Sequence, residues 1–456
     1  MSDTIAAIAT GTAVSAIGII RMSGDEAISI ASKIFRASSG IKLTDAKDRQ
    51  MHYGALTCAD GTLIDLVLCV VSRGPNSYTG EHTAEFQCHG SPLVLSEVLK
   101  VLFSLGARQA LPGEFTKRAF MNGRLDLVQS EAVIDLIESE TLFAAQNAAG
   151  QLQGAVGIKL ETIYSSLVDV SAHFHAVIDY PDEDIDEFQM QIYIAALVGA
   201  KESLERLLET HNRGRVMLLG VPTAIIGRPN TGKSSLLNAL LGYERAIVTD
   251  IPGTTRDTIE EKLVFGGVVL RLIDTAGLRN TDDTVEKLGV QRTLSAVKGA
   301  GLVIVVLDGS MPLCEEDYEA LRSIPPDVPK VAVINKSDLP PVLDTHTISQ
   351  LGLDYLHISA QTGEGIDAFD AKIKEMFPLL GISPTGEIIT NARQADAISR
   401  ALEAVQLAID AIAVSVTPDA VLTDIESALS CLGEVTGKTM REDIITRIFE
   451  RFCVGK

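Results

Sequence analysis

Positive charge is in deficit in this sequence, which also has no tryptophan. Lysine and arginine number 39 against 60 aspartate and glutamate, a formal net charge of −21 over 456 residues, which argues against a broad basic surface for nucleic acid. Any RNA contact is therefore local or supplied by a partner. Cysteine is sparse too: the six, at 58, 69, 88, 314, 431 and 453, form no CxxC pair and no disulfide-like spacing, so reduced thiols in the cytosol are expected. Low-complexity tracts and short repeats are missing. The apolar opening MSDTIAAIATGTAVSAIGIIRMSG has Asp3 and no basic residue ahead of its apolar run, which is also shorter than a membrane span. Its β-branched residues and glycines predict a strand, a loop and a second strand.

Apolar side chains make up 46% of the chain, and the length is too great for one core, so two to four domains are expected. Residues 1–118 alternate β-branched runs such as LIDLVLCVVS with helical stretches such as SPLVLSEVLKVLFSLGA, the pattern of an α+β domain. Residues 119–219 turn to apolar spacings of three and four, as in LVQSEAVIDLIESETLFAAQNAAGQL, and predict long packed helices. Over 220–380 the runs PTAIIG, VVLRLID, GLVIVVLD, KVAVINK and YLHISA alternate with helical patterns, predicting a doubly wound α/β sheet. Gly266 and Gly267, between KLVF and VVLRLID, predict a hairpin and one antiparallel edge strand. Residues 381–456 return to amphipathic helix. The α/β domain thus reads as an insertion into an all-α domain that is discontinuous in sequence.

The segment GRPNTGKS at 227–234 matches GxxxxGK[ST] between a strand and a helix. Backbone amides of Asn230, Thr231 and Gly232 would cradle phosphates, Lys233 would neutralise the outer ones, and Ser234 would ligate magnesium, with Ser235 next along the helix. Three further elements follow in the order a GTPase needs. DTAG (Asp274, Thr275, Ala276, Gly277) would hold the metal through water and approach the terminal phosphate. In NKSD, Asn335 and Lys336 precede Asp338, whose carboxylate can accept two hydrogen bonds from a guanine edge. Ser359 and Ala360 would close over the base.

Between the phosphate loop and DTAG lies TDIPGTTRDT, comprising Thr249, Asp250, Ile251, Pro252, Gly253, Thr254, Thr255 and on to residue 258. It has the composition of a loop that closes over a γ-phosphate, with Thr255 as the second magnesium hydroxyl. Ras-like GTPases place a glutamine after DTAG to orient water, and here position 278 is leucine. Two features can replace it: Asn230 with loop carbonyls could hold a monovalent cation where an arginine finger would act, and Glu286 could orient water. Glu286 reads equally as a solvated carboxylate at a helix start.

With GRPNTGKSS, TDIPGTTRD, DTAGLR, GIIRMSG, SYTGE, LPGEFTKRAFMNGRLDL and the terminal CVGK assembled, the chain resembles the MnmE (TrmE) family of bacterial tRNA-modification GTPases along essentially its whole length. The resemblance implies an N-terminal folate-binding-like domain, a split helical domain and an inserted Ras-like P-loop G domain. It implies a potassium ion held by Asn230, Thr249, Ile251 and Thr254, magnesium held by Ser234 and Thr255, and Glu286 as the catalytic carboxylate. Potassium would pair two G domains across a homodimer and switch on hydrolysis. A 5-formyl- or 5,10-methylene-tetrahydrofolate would bind between N-terminal domains at Arg21, Glu81, Arg124 and Lys456, although TGTAVSAIGIIR departs from the family's Pro/Gly-rich loop. Cys453 matches a cysteine the family uses in modification, and reads otherwise as a small apolar anchor. The implied activity joins an FAD-dependent partner (MnmG/GidA-like) in adding an aminomethyl or carboxymethylaminomethyl group to C5 of the wobble uridine, U34, of certain tRNAs. A ribosome-assembly GTPase and a GTP-controlled signalling or scaffold switch are the alternatives.

Overall fold

The computed structural model describes residues 3–58, 60–179, 187–244, 261–273, 297, 299–378 and 386–455. The chain parts into two compact units, one of Met1–Ile134, Ala148–Arg206 and Asp396–Lys456, the other of Asp135–Asn147 and Leu207–Ala395.

In the first unit, β1 (Ile5–Ile8), β2 (Ser15–Ser23), β3 (Phe35–Ala37), β4 (Met51–Thr57), β5 (Leu63–Ser72), β6 (Thr83–Gly90) and β7 (Arg108–Gln109) form one sheet, ordered β3-β4-β5-β6-β2-β1-β7. All pairs are antiparallel except β1 with β7. The opening of the chain is thus the strand, loop and strand its composition predicts. Alternate residues Ile20, Met22, Val67, Cys69, Val71 and Phe86 enter one core with Ile28 of α1 (Ala27–Ile34) and Leu95, Val98 and Leu102 of α2 (Pro92–Ser104), because side chains on a strand alternate between faces. On the other register Ile17, Tyr53, Leu66 and Leu68 are exposed by 37% to 57%. An apolar sheet face left this open among the described residues is a feature of binding surfaces.

The helices that follow are α3 (Glu114–Met121), α4 (Leu127–Glu138), α5 (Leu142–Leu152), α6 (Ala155–Asp179) and α7 (Glu187–Leu219). One difference from the sequence pattern stands out: the apolar periodicity over 127–152 is broken into α4 and α5. Thr141 supplies the reason, its hydroxyl accepting from the Ala144 amide at 3.2 Å, so that a new helix N-terminus is capped there.

The second unit contains β8 (Val221–Ile226), α8 (Lys233–Glu244), β9 (Lys262–Phe265), β10 (Val268–Leu272), β11 (Leu302–Asp308), α9 (Glu315–Arg322), β12 (Lys330–Asn335), α10 (Thr345–Gln350), β13 (Tyr355–His357) and α11 (Ile366–Met376). Its sheet runs β13-β12-β11-β8-β10-β9. All neighbours are parallel except the β9–β10 hairpin, which turns at Gly266 and Gly267 as predicted. Both glycines have positive φ, 61° and 81°, and at Gly266 a Cβ would fall 2.5 Å from the Lys374 amide nitrogen. Ile304, Val306, Val331 and Val333 face one core, while Val303, Val305, Ala332 and Ile334 face another. Burial on both sides explains why these strands read as unbroken apolar runs.

The chain closes in α12 (Ala392–Ala413), α13 (Pro418–Thr436) and α14 (Glu442–Phe449), with α13 packed along α6. Phe449 and Phe452 bury with Leu127 and Ile445. The terminal tail is thereby fastened within the first unit.

Candidate functional site

The phosphate-loop segment lies between β8 and α8, in the setting its motif requires. Gly232 has φ +89°, and a Cβ there would sit 2.2 Å from Nδ2 of Asn335, so the loop can approach the Asn335 segment only with glycine. Asn230 is exposed and left-handed at φ +63°, a backbone state asparagine tolerates better than most residues. Lys233 Nζ curls back over the loop and donates to the carbonyls of Gly227 at 2.7 Å and Arg228 at 2.8 Å. Burial pushes its ammonium below the usual lysine range. Ser234 is half-buried at the start of α8 and Ser235 is exposed.

The base-side motifs meet this loop. Asn335 ends β12; its Nδ2 donates to the Thr231 carbonyl at 2.9 Å and its Oδ1 accepts from the Ala360 amide at 3.0 Å. Ser359 Oγ donates to Asp338 Oδ1 at 2.6 Å. Asp338 is exposed, while Asn335 and Ser359 are buried. The structure therefore brings together Thr231, Gly232, Lys233, Asn335, Asp338, Ser359 and Ala360. Thr249 through Thr255, Asp274 through Gly277 and Glu286 lie outside the described residues.

Sequence reading overlooked two carboxylates in this unit. Asp308, at the end of β11, accepts from Lys336 Nζ at 2.6 Å. Asp317, buried in the first turn of α9, lies 3.4 Å from the Arg228 guanidinium and accepts from the Cys314 amide at 3.1 Å. The available signal was that a carboxylate closes LVIVVLD, at the same sheet end as Asn335; the register pairs Asp308 with Asn335.

In the first unit, Arg21 pairs with Glu85 at 2.7 Å and lies over the rings of Tyr78 and Phe115, at 5.4 and 5.8 Å from their centroids. Glu81 Oε2 accepts from Ser23 Oγ at 2.7 Å and from Arg118 Nη1 at 2.9 Å. Arg118, absent from the sequence-derived set, also reaches Glu114 at 3.0 Å and Asp3 at 2.7 Å. Arg124 is exposed, with its stem against Gly80, where a Cβ would lie 3.4 Å from the Arg124 Cγ. It also borders a cavity of about 410 Å³ lined in part by Asp126, Gln129, Glu161 and Lys438. The tail joins the same unit: the Gly113 amide donates to the Cys453 carbonyl at 3.2 Å, Val454 bridges Pro112, and a Cβ on Gly455 would meet the Ile8 carbonyl at 2.2 Å. Cys453 is exposed, and Lys456 lies outside the described residues.

A doubly wound sheet whose phosphate loop is hydrogen-bonded to an Asn-Lys-Ser-Asp strand end defines a P-loop nucleotide-binding protein, here carried within a larger helical and α+β chain. A family model described as the MnmE helical domain matches residues 127–453, and one described as the GTP-binding protein TrmE N-terminus matches residues 4–124. The tRNA modification GTPase MnmE of Thermoanaerobacter pseudethanolicus is 42% identical over 458 residues, covering 100% of this chain and 99% of the relative. That of Clostridioides difficile is 40% identical over 459 residues, with 100% of both covered. Among solved structures, the G domain of T. maritima FeoB covers 34% of this chain and 96% of its own at 28% identity, with a TM-score of 0.25. The chain belongs to the MnmE family.

Proposed function

We propose that this chain is a homodimeric, potassium-activated GTP hydrolase that acts in tRNA modification. With an FAD-dependent partner it installs an aminomethyl or carboxymethylaminomethyl group at C5 of U34, using a reduced folate as one-carbon donor. The observation that carries the nucleotide part is the Asn335 bridge between Thr231 and Ala360, which fixes phosphate loop, base-reading strand end and closing loop in one arrangement. The full-length similarity to proteins named tRNA modification GTPases supports the rest. On this account the domains run over 1–118, 119–219, 220–380 and 381–456.

On this account Lys233 neutralises the outer phosphate oxygens, and the amides of Thr231 and Gly232 orient the chain of phosphates. Asp338 accepts from the guanine edge while Ser359 holds that carboxylate in place. The residues present suit the implied metals: Ser234 offers a hydroxyl at the start of α8, and Asn230, four positions earlier in the loop, offers an exposed amide. Thr255 completes the magnesium set, and Thr249, Ile251 and Thr254 the potassium set. Bound cations there would neutralise charge developing on the phosphates. Glu286 orients the attacking water.

The open apolar face bearing Tyr53, Leu66 and Leu68 supports pairing of two N-terminal domains. Glu81, beside Arg118 and Ser23, supports a folate-reading group, since a carboxylate retains acceptor capacity beyond two donors. Arg21, Arg124 and Lys456 complete that set, with Cys453 exposed on the tail nearby in sequence. The acidic net charge leaves most of the tRNA surface to the partner, and the six dispersed cysteines suit the cytoplasm.

The test is GTP turnover in potassium against sodium. Potassium is expected to raise turnover at least about tenfold, with Asn230→Ala abolishing the difference, in line with loss of one charge-stabilising element. Equal rates in the two salts would remove the cation from the account.

A further inference from the structure

The turn that follows β11 is tied to the base-reading segment by more than one bond. The Gly309 amide donates to the Asn335 carbonyl at 2.9 Å, and the Gly309 carbonyl accepts from the Val342 amide at 2.9 Å and the Leu343 amide at 3.2 Å. Asp308, 5% exposed, opens this turn. Its Oδ1 accepts from the Ser310 amide at 3.0 Å and the Ser310 hydroxyl at 2.6 Å, which leaves Oδ2 for Lys336 Nζ at 2.6 Å.

Lys336 itself has a left-handed backbone, φ +65°, a state that disfavours long side chains unless their position is fixed by something else. Its ammonium is committed to Asp308. With the ammonium held there, the rest of the Lys336 side chain is a four-carbon stem, which suits the flat apolar face of a purine. Burial would by itself raise the Asp308 carboxyl, but the Lys336 ammonium and the Ser310 donors outweigh it and hold the group below the usual carboxylate range. The carboxylate is thus charged wherever the protein works, and the pairing is charge-assisted.

We propose that Asp308 is a positioning residue for the purine: it holds the Lys336 ammonium at the strand-end turn, so that the lysine stem is placed against the base. This rests on the reading of the second unit as a guanine-nucleotide site. It adds a contributor from β11, outside the motif segments, and it distinguishes a placed lysine from one that merely closes a turn.

The experiment is a thermodynamic cycle on the full chain, with a fluorescent GDP analogue as probe and steady-state GTP hydrolysis alongside. Asp308→Asn is expected to weaken GDP binding about tenfold, the loss typical of a charge-assisted hydrogen bond, and to raise KM while leaving kcat within about twofold. Lys336→Met keeps the stem and removes the charge. Because the two residues act as one, Asp308→Asn in the Lys336→Met background is expected to cost little more than Lys336→Met alone. Wild-type affinity in Asp308→Asn, or strictly additive losses in the double variant, would overturn the proposal. A wild-type chain that binds no GDP would instead overturn the guanine-nucleotide reading beneath it. Melting temperatures of the nucleotide-free variants separate misfolding from both, and Asp308→Glu, which keeps the charge but moves it, is expected to fall between wild type and Asp308→Asn.

Discussion

Asn335 and Thr231 stand 104 positions apart in sequence and are joined by one buried hydrogen bond, Nδ2 to carbonyl oxygen at 2.9 Å. The same side chain accepts from the Ala360 amide. Both partners are backbone groups of nucleotide-site loops, so the asparagine acts as a strut between them.

Asn335→Ala removes that strut and leaves the Thr231 carbonyl and the Ala360 amide without it. The expected cost is about 2 kcal/mol or more in nucleotide binding, roughly thirtyfold in Kd. Gly232→Ala reaches the same strut from the other side, because its Cβ would fall 2.2 Å from Asn335 Nδ2 at φ +89°. Titration with a fluorescent GDP analogue checks both. Near-wild-type affinity in both variants would show that the strut does not organise the site.

How much of this was legible beforehand follows from where each group sits. The phosphate loop, NKSD and the Ser359-Ala360 pair are short segments at strand ends, each with a spacing set by its own chemistry, so sequence alone placed them. The hairpin at Gly266 and Gly267 was legible for the same reason. Asp308 and Asp317 were not, because their roles arise from register and packing: β11 pairs with β12 so that Asp308 lies opposite Asn335, and α9 brings Asp317 to Arg228. Arg118 escaped notice likewise, since nothing in FTKRAF distinguishes an arginine aimed at Glu81 from one in solvent. The break between α4 and α5 depended on one capping hydroxyl in an otherwise helical pattern.

The N-terminal carboxylate is the clearest point at which to test folate binding. Glu81→Gln keeps the shape and the Ser23 contact while removing the charge that Arg118 faces. Affinity for a reduced folate, followed by calorimetry, is expected to fall at least about tenfold if the ring edge donates to this carboxylate. Arg124→Ala is expected to have a smaller effect. Unchanged affinity in Glu81→Gln would place the folate elsewhere.

Acid sensitivity of the first unit follows from its ion-pair cluster. Burial alone would raise Glu114, and the Arg108 guanidinium, the Leu111 amide and Arg118 outweigh it, leaving the carboxyl below its ordinary value. Asp3 is held down chiefly by its hydrogen bond from Arg108. A depressed folded-state pKa means that the unfolded chain binds more protons in the acid range. The stabilisation is therefore fully present above the ordinary carboxylate range of about 4 and is lost as pH falls through the folded values. Asp126, pushed up by burial, has the opposite sign and offsets part of this. Denaturant midpoints measured between about pH 3 and 6 are expected to fall with acidification in the wild type and to fall less steeply in Glu114→Gln. Parallel slopes would rule the cluster out as the source.

The central claim is that nucleotide turnover in this chain serves tRNA modification. Nucleoside mass spectrometry of total tRNA from cells lacking the gene tests it most directly. The account predicts loss of the C5-aminomethyl or carboxymethylaminomethyl wobble uridines, restored by the wild-type chain and not by Asn335→Ala. Unchanged wobble nucleosides in the deleted cells would contradict it.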